Sequence, residues 1–348
     1  MGDTKVPGDL PARVTRVAIL TGGSTAERDV AFAGAAQVLE SLRDSGLEVT
    51  VIDTVEGVLS TERVAELLKP DVDRTPPPHE LMREWRSREE ITDATQLPEI
   101  REVDLVFLIL HGHQGEGGDI QGRLEALGVK FTGSDSAGSR NAMDKLKSKE
   151  ILQRAGIRVP RGHSWPVDGA TIADLGLPLI VKPSRVGSTL GLTLVHSLAE
   201  LEPAVEFASQ FDDEIIVEQY LAGREFTVGV LGDRPLAVGE IIPQHEIFDY
   251  ECKYTPGMSE EIFPASLDEP LTRQLKDWGV LAHRALGLRH FSRVDFKVGS
   301  NGELFCLEAN TLPGLTRASL LPQSAAAAGI NFDTLCAALC DLALENGA

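Results

Sequence analysis

Aromatic side chains are scarce in this 348-residue sequence, at 5% of positions, and basic side chains are outnumbered. Lys and Arg number 33 against 53 Asp and Glu, a formal net charge of −20. A nucleic-acid surface needs clustered cations to neutralise phosphates and aromatic faces on which bases stack, so DNA and RNA are not expected partners. The acidic balance does not exclude a small anion. It does require that any phosphate site be assembled from a few local basic residues. Long apolar runs are also missing: no stretch approaches the roughly 20 residues that span a bilayer, and no membrane association is expected. Only four cysteines occur, Cys252, Cys306, Cys336 and Cys340. Their spacing matches neither a disulfide scaffold nor a zinc motif, since Cys336 and Cys340 lie one helical turn apart without a His pair. Buried, inert thiols in a reducing cytoplasm are the expectation. Residues 1–13 are polar, interrupted by Pro and Gly and without an apolar signal core, and read as a loose tail.

What is present is an ordinary globular composition, 42% hydrophobic, long enough for two or three domains. Arg16–Leu20 followed by Thr21-Gly22-Gly23-Ser24 and an amphipathic stretch from about Asp29 to Arg43 predicts strand, tight turn and helix. Leu47–Ile52 and Leu105–Leu110 predict further buried strands, and Asp71–Glu102, polar and Pro-rich, a surface insertion or solvated helix. Helix Ile120–Leu127 and strand Val129–Phe131 complete an N-terminal α/β unit over 1–134. One helix is predicted over Ala142–Ala155, then strands at Leu179–Val181, Leu192–Val195 and Ile215–Tyr220 with helix Leu198–Ser209 among them. Further strands are predicted at Val228–Leu231, Leu236–Ile242, Arg293–Val298 and Glu303–Leu307, and helices at Leu271–Leu286, Leu320–Ala328 and Phe332–Leu344. No internal repeat is present.

Three segments gather chemistry. Glu308 and Asn310 are two apart on a predicted strand and share a face. Asp295 lies across a hairpin turn at Gly299–Gly302 and can face them. Two carboxylates and an amide oxygen suit Mg²⁺ carried by nucleotide phosphates, although a solvated polar hairpin is the commoner meaning of such a pattern alone. Lys182 ends an apolar strand and leads into Pro183-Ser184-Arg185-Val186-Gly187-Ser188-Thr189-Leu190-Gly191, a loop whose backbone N–H groups can approach phosphate oxygens. It is not a Walker A loop, and such a pattern alone more often marks a hairpin turn. His111-Gly112-His113-Gln114-Gly115-Glu116-Gly117-Gly118 follows a buried strand, where open α/β sheets collect ligands. The two histidines lack a third metal ligand, so His111 reads as a positioning or structural residue.

Further short segments complete an ordered set. They are Gly22-Gly23-Ser24-Thr25-Ala26-Glu27-Arg28, Met143-Asp144-Lys145, Asp249-Tyr250-Glu251-Cys252-Lys253-Tyr254 and Leu307-Glu308-Ala309-Asn310-Thr311-Leu312-Pro313-Gly314. Together with the loops above, and from Val17 to about Leu344, the chain resembles the D-alanine–D-alanine ligases of the ATP-grasp superfamily. That resemblance implies an α/β, three-domain ATP-grasp fold, with domains over 1–134, 135–221 and 222–348. A Rossmann-like, biotin-carboxylase-N-like first domain would precede two ATP-grasp subdomains that hold ATP between antiparallel sheets. It implies Lys145, Lys182 and Lys253 as phosphate contacts, Glu218 and the Leu221 backbone at adenine, and Glu225 at ribose. Asp295, Glu308 and Asn310 would be ligands of two Mg²⁺ ions, which Mn²⁺ can replace.

For substrate, the resemblance implies Glu27 at the ammonium of a first D-alanine, tied to Ser188 and Tyr254, with His111 orienting it. Arg293 and the Gly314 N–H would stabilise the oxyanion, and Ser319 and Leu320 would hold the second D-alanine's carboxylate. The product is D-alanyl-D-alanine, formed through an acyl phosphate in the cytoplasm for peptidoglycan precursors, and the assembly a homodimer. Two positions depart from the family pattern: Gly117 stands where Asp is usual, and Val186 where Glu is usual. Both lie near the substrate, so a related ligase for another amino acid is the alternative, and a catalytically dead nucleotide-binding protein a third. The pairing Lys253-Tyr254 favours an amine acceptor over a hydroxy acid.

Overall fold

The computed structural model describes residues 15–70, 72, 75, 77–299 and 301–345. The predicted N-terminal tail, 1–13, lies outside them.

The first unit begins with β1 (Arg16–Thr21), α1 (Arg28–Asp44), β2 (Glu48–Asp53), β3 (Gly57–Val58) and α2 (Thr61–Leu67). It continues through α3 (His79–Thr92), α4 (Pro98–Glu102), β4 (Leu105–Leu108), α5 (Gly112–Glu116) and α6 (Asp119–Ala126). The sheet order is β3-β2-β1-β4, with β2, β1 and β4 parallel. Val17 to Leu20 and Leu105 to Leu108 are buried without alternation, because a parallel sheet is covered on both faces. The polar stretch predicted as an insertion folds as α3 and α4. Helix α3 is largely solvated, but Ile100 of α4 is fully buried in the core of this unit. Val129–Phe131 forms only a bridge, between Val106 and Phe131, rather than a full strand.

The second unit holds α7 (Ser136–Met143), α8 (Lys145–Arg154), β5 (Gly162–Ser164) and α9 (Gly169–Leu175). After them come β6 (Leu179–Pro183), β7 (Thr193–Val195), α10 (Leu198–Ala208) and β8 (Ile215–Gln219). Its sheet, β5-β8-β6-β7, is antiparallel throughout. The single helix expected over Ala142–Ala155 is two. Asp144 adopts extended backbone, and its side chain caps α8 by accepting the Lys147 N–H.

The third unit contains β9 (Gly223–Leu231), β10 (Arg234–Pro243), α11 (Tyr250–Tyr254), β11 (Ser259–Ile262) and α12 (Glu269–Ala285). It ends with β12 (Phe291–Gly299), β13 (Leu304–Asn310), α13 (Leu320–Ala327) and α14 (Phe332–Glu345). The antiparallel sheet runs β11-β10-β9-β12-β13. Its central strands present Phe226, Val228, Val294 and Phe296 to a core shared with α8 and α12. Helix α14 leaves its own sheet: Phe332, Leu335, Cys336, Leu339 and Cys340 pack with α1, β1 and β4 in the core of the first unit. All four cysteines are buried and none forms a disulfide. Burial pushes the Cys336 thiol up to about 12, which fits inertness. Among the described residues, no single helix is long and apolar enough to cross a membrane.

Candidate active site

The turn after β1 aims Glu27. Gly22 has φ +84°, and a Cβ there would lie 2.2 Å from Asp53 Oδ1, so glycine is needed for this close approach. Asp53 takes Arg28 with both oxygens, at 3.0 and 2.5 Å, and Arg28 also donates to the Gly23 carbonyl at 2.7 Å. This buried pair pins the start of α1. Glu27, at its N-cap, then lines a cavity of about 640 Å³ together with His111, Glu116, Ser188, Tyr254, Arg293, Gly314, Ser319 and Leu320.

The Tyr254 hydroxyl donates to Glu27 Oε1 at 2.8 Å, and Ser188 hydrogen-bonds the same tyrosine. Burial and the Glu27 charge hold the phenol well above its usual pKa, so it stays a donor. The expected link between Glu27 and Ser188 thus runs through Tyr254. Two further ties fasten the 244–258 segment, a lid: Tyr250 donates to the Ala26 carbonyl at 3.2 Å, and Thr189 to the Phe248 carbonyl at 3.0 Å. Ser188 and Thr189 have φ of +53° and +62°, strained values for residues with a Cβ, at the tip of the 187–191 loop.

His111 is buried, with Nδ1 3.0 Å from the Leu312 carbonyl. That contact requires the proton on Nδ1, leaving Nε2, unpartnered among the described residues, as an acceptor. Glu116 accepts the N–H groups of Thr311 and Leu312, each at 3.0 Å, and so fastens the end of β13 to the first unit. Burial raises its pKa. Ser319 stands at the N-cap of α13, but its Oγ is taken up by the Thr316 N–H at 3.1 Å rather than by capping. The N-terminus of α13 therefore opens on the cavity at Ser319 and Leu320, a place suited to a carboxylate. A Cβ on Gly314 would approach Ser319 Oγ to 2.8 Å, so glycine keeps this turn tight.

A second cleft lies between the two antiparallel sheets. Ile180, Lys182 and Glu218 line it from one sheet, and Glu225, Asp295, Lys297 and Glu308 from the other, with Lys145, Leu221 and Lys253 at its edges. Opposed residues of an antiparallel pair share a face, and the register sets Arg293 against Asn310 and Asp295 against Glu308. A bulge follows at once, since Phe296 pairs with Cys306. Asp295 accepts from Arg293 at 2.8 and 3.0 Å, from Thr227 at 2.7 Å and from the Asn310 amide at 3.0 Å. Because Asn310 donates through Nδ2, its Oδ1 remains an acceptor. Burial would raise the Glu308 pKa, but Lys145, Lys253, Lys182 and Arg293 outweigh it and bring the carboxyl down to about 2. Lys145 Nζ lies 3.6 Å from that carboxylate and 2.8 Å from the Val186 carbonyl. Two carboxylates and an amide oxygen set among lysines fit a divalent cation that arrives on phosphates.

All residues anticipated from the sequence thus converge on two adjoining cavities, which share Gly187, Phe248, Lys253 and Arg293. Several contributors were not anticipated. Lys149 joins Lys182 on Glu218: Lys182 reaches Oε1 at 2.5 Å and Lys149 takes Oε2. Lys297 pairs with Glu225 at 3.0 Å. Their signals were spacing, Lys149 one helical turn after Lys145, and Lys297 on the same strand face as Arg293 and Asp295. The two departures have structural reasons or none are needed. A Cβ on Gly117 would lie 2.2 Å from the His113 carbonyl, and Val186 contributes its backbone oxygen to Lys145.

Lysines set between two antiparallel sheets, beside a second cavity that shares Lys253 and Arg293, are the arrangement of an ATP-grasp fold. Residues 16–134 match the model for the D-ala D-ala ligase N-terminus, and residues 161–341 that for the D-ala D-ala ligase C-terminus. The chain belongs to the D-alanine–D-alanine ligase family. It is 37% identical to D-alanine–D-alanine ligase of Geobacter sulfurreducens, over 93% of this chain and 92% of that one. Identity with the Syntrophobacter fumaroxidans ligase is 39%, over 95% and 98%. Among solved structures, the Bacillus anthracis D-alanine–D-alanine ligase complexed with ATP superposes with TM-score 0.74 at 28% identity, covering 96% of this chain and 98% of that one. The VanG D-Ala:D-Ser ligase of Enterococcus faecalis gives 0.76 at 28%, over 95% and 100%.

Proposed function

We propose that this protein joins two D-alanines into D-alanyl-D-alanine at the expense of ATP, in the cytoplasm, for peptidoglycan precursor synthesis. The observation that carries this reading is the meeting of the nucleotide cleft and the amino-acid cavity at Lys253 and Arg293. A carboxylate is a poor electrophile, so one of its oxygens first attacks the γ-phosphorus of ATP. ADP leaves and an acyl phosphate forms. The amine of the second D-alanine then attacks the acyl carbon, and phosphate leaves.

Glu27 holds the first ammonium, and His111 Nε2 accepts from the same substrate. Lys145, Lys182 and Lys253 neutralise the phosphates, which a protein of net charge −20 must do locally. Glu218 and the Leu221 backbone receive the adenine, and Glu225 the ribose. Asp295, Glu308 and Asn310 would hold Mg²⁺, or Mn²⁺ in its place, which when bound supplies charge neutralisation at the phosphates. Arg293 and the Gly314 N–H stabilise the oxyanion, while Ser319 and Leu320 receive the second carboxylate. The lid, closed by its ties to Ala26, Glu27 and Thr189, keeps water from the acyl phosphate. The active species is a dimer of identical chains through the N-terminal unit.

Phosphate release from Mg·ATP across single D- and L-amino acids, with mass detection of the dipeptide, tests the assignment. Release with D-alanine alone and a D-alanyl-D-alanine product is expected. Silence with D-alanine and turnover with another amino acid would transfer the mechanism to a different substrate. Glu308→Ala should abolish ATP-dependent ligation, and full activity in that variant would refute the ligand assignment.

A further inference from the structure

The lid carries three donor groups that the ligation chemistry leaves unused. His245 Nδ1 lies 2.8 Å from Asp249 Oδ2, and the donor atoms of His245, Asp249 and Cys252 all lie within 4.8 Å of one another. Cys252 is 1% exposed, whereas the side chains of His245 and Asp249 are 38% and 31% exposed. An imidazole, a carboxylate and a thiol therefore converge with the sulfur beneath and an approach left open from solvent. Asp249 holds this spacing by capping α11: its Oδ1 accepts the Cys252 N–H at 2.9 Å, which places the thiol under the carboxylate. The backbone N–H groups of Gln244 and His245 lie near enough to the Cys252 sulfur to favour a thiolate there. Cysteine spacing alone gave no zinc motif, because two of the three donors are not cysteines.

We infer that His245, Asp249 and Cys252 form a binding site on the lid for a borderline-soft divalent cation, with zinc the best match. Ligand atoms around tetrahedral zinc stand about 3.5 Å apart, so the triad needs a contraction of about 1 Å, within reach of side-chain rotation, and a water can complete the four. The His–Asp contact is already shorter than that spacing. The donor set also separates this site from the catalytic one: a thiolate and an imidazole select zinc or cobalt, whereas Asp295, Glu308 and Asn310 present only hard oxygens. Loading releases the Cys252 thiol proton and, from an imidazolium, the proton that His245 Nδ1 shares with Asp249. Since Lys253 and Tyr254 follow Cys252 directly, a cation here would fix the backbone that carries both.

The test uses the full chain without amino acids and with saturating Mg·ATP, so that the hard-oxygen positions are filled. Cobalt(II) is titrated optically, and zinc(II) against a chromophoric chelator. One zinc per chain is expected, together with a cobalt–thiolate charge-transfer band. Cys252→Ser should lose the band and bind zinc at least about 100-fold more weakly, and His245→Ala about 10- to 100-fold more weakly, at unchanged Mg·ATP affinity. No band in the parent protein, or zinc affinity unchanged in Cys252→Ser, overturns the site. Should Cys252→Ser fail to fold, the solvent-facing His245→Ala decides alone, and unchanged zinc affinity there is equally fatal.

Discussion

Glu218 keeps its charge in a buried setting because Lys149 and Lys182 take one oxygen each, and together they outweigh burial to bring it to about 2. Removing one member of such a set leaves an undercompensated buried charge, which costs about 3–5 kcal/mol. Lys149→Ala should therefore lower unfolding stability by about 3 kcal/mol in urea titrations and weaken ATP binding, although Lys149 is not among the residues lining the cleft. Unchanged stability would mean that Lys182 alone balances Glu218. His111 offers the opposite case at this scale. Its place after a strand, facing the cavity, could be anticipated, but the choice of ring nitrogen could not, because the Leu312 carbonyl that sets it lies 201 residues away.

Elements were legible where apolar periodicity was long, as in α1, α12 and β12, and illegible where a side-chain hydrogen bond decides the backbone. The break between α7 and α8 is an example. Apolar spacing runs through it, and only the Asp144 cap interrupts the helix. The interruption matters, since it sets the Lys145 N–H on the Ser184 carbonyl at 3.2 Å and directs Nζ to the Val186 carbonyl in the 183–191 loop. Helix α11, with five residues, is too short to leave a period. Beside the Tyr250 tie to the Ala26 carbonyl, its hydrogen bond from Tyr254 to Glu27 joins lid to first unit, and bonds to charged groups contribute about 1.5–3 kcal/mol. Tyr254→Phe should accordingly reduce kcat/KM for D-alanine about 10- to 100-fold, with a raised KM, at near-normal stability. Equal kinetics would remove the lid closure from the mechanism.

For the molecule as a whole, acid is the informative perturbation. Burial holds His283 and His290 at about 4, against about 6.5 in an unfolded chain. Between those values the unfolded chain binds protons that the fold refuses, so stability falls as pH falls from 6.5 to 4, by about 3 kcal/mol for each histidine. Glu218 and Glu308, both near 2, add a second loss as pH falls from about 4.5 toward 2. Urea midpoints should drop between pH 7.5 and pH 5, and His290→Asn should lessen the drop while accepting the φ of +59° at that position. A flat midpoint across that range would contradict the buried neutral state.

Most strands of the three sheets were foreseeable from apolar runs bounded by turn residues. The destination of α14 was not, since an apolar helix face does not name the surface it covers. Its consequence belongs to biosynthesis. Residues 332–345 are translated some two hundred positions after β4, yet they cover the hydrophobic flank that α1 and β4 leave bare. A ribosome-bound chain that has not reached Phe332 carries a complete parallel sheet with one greasy side open to water. The earliest unit to emerge is thus among the last to be sealed, and holdase chaperones have their natural substrate in that interval.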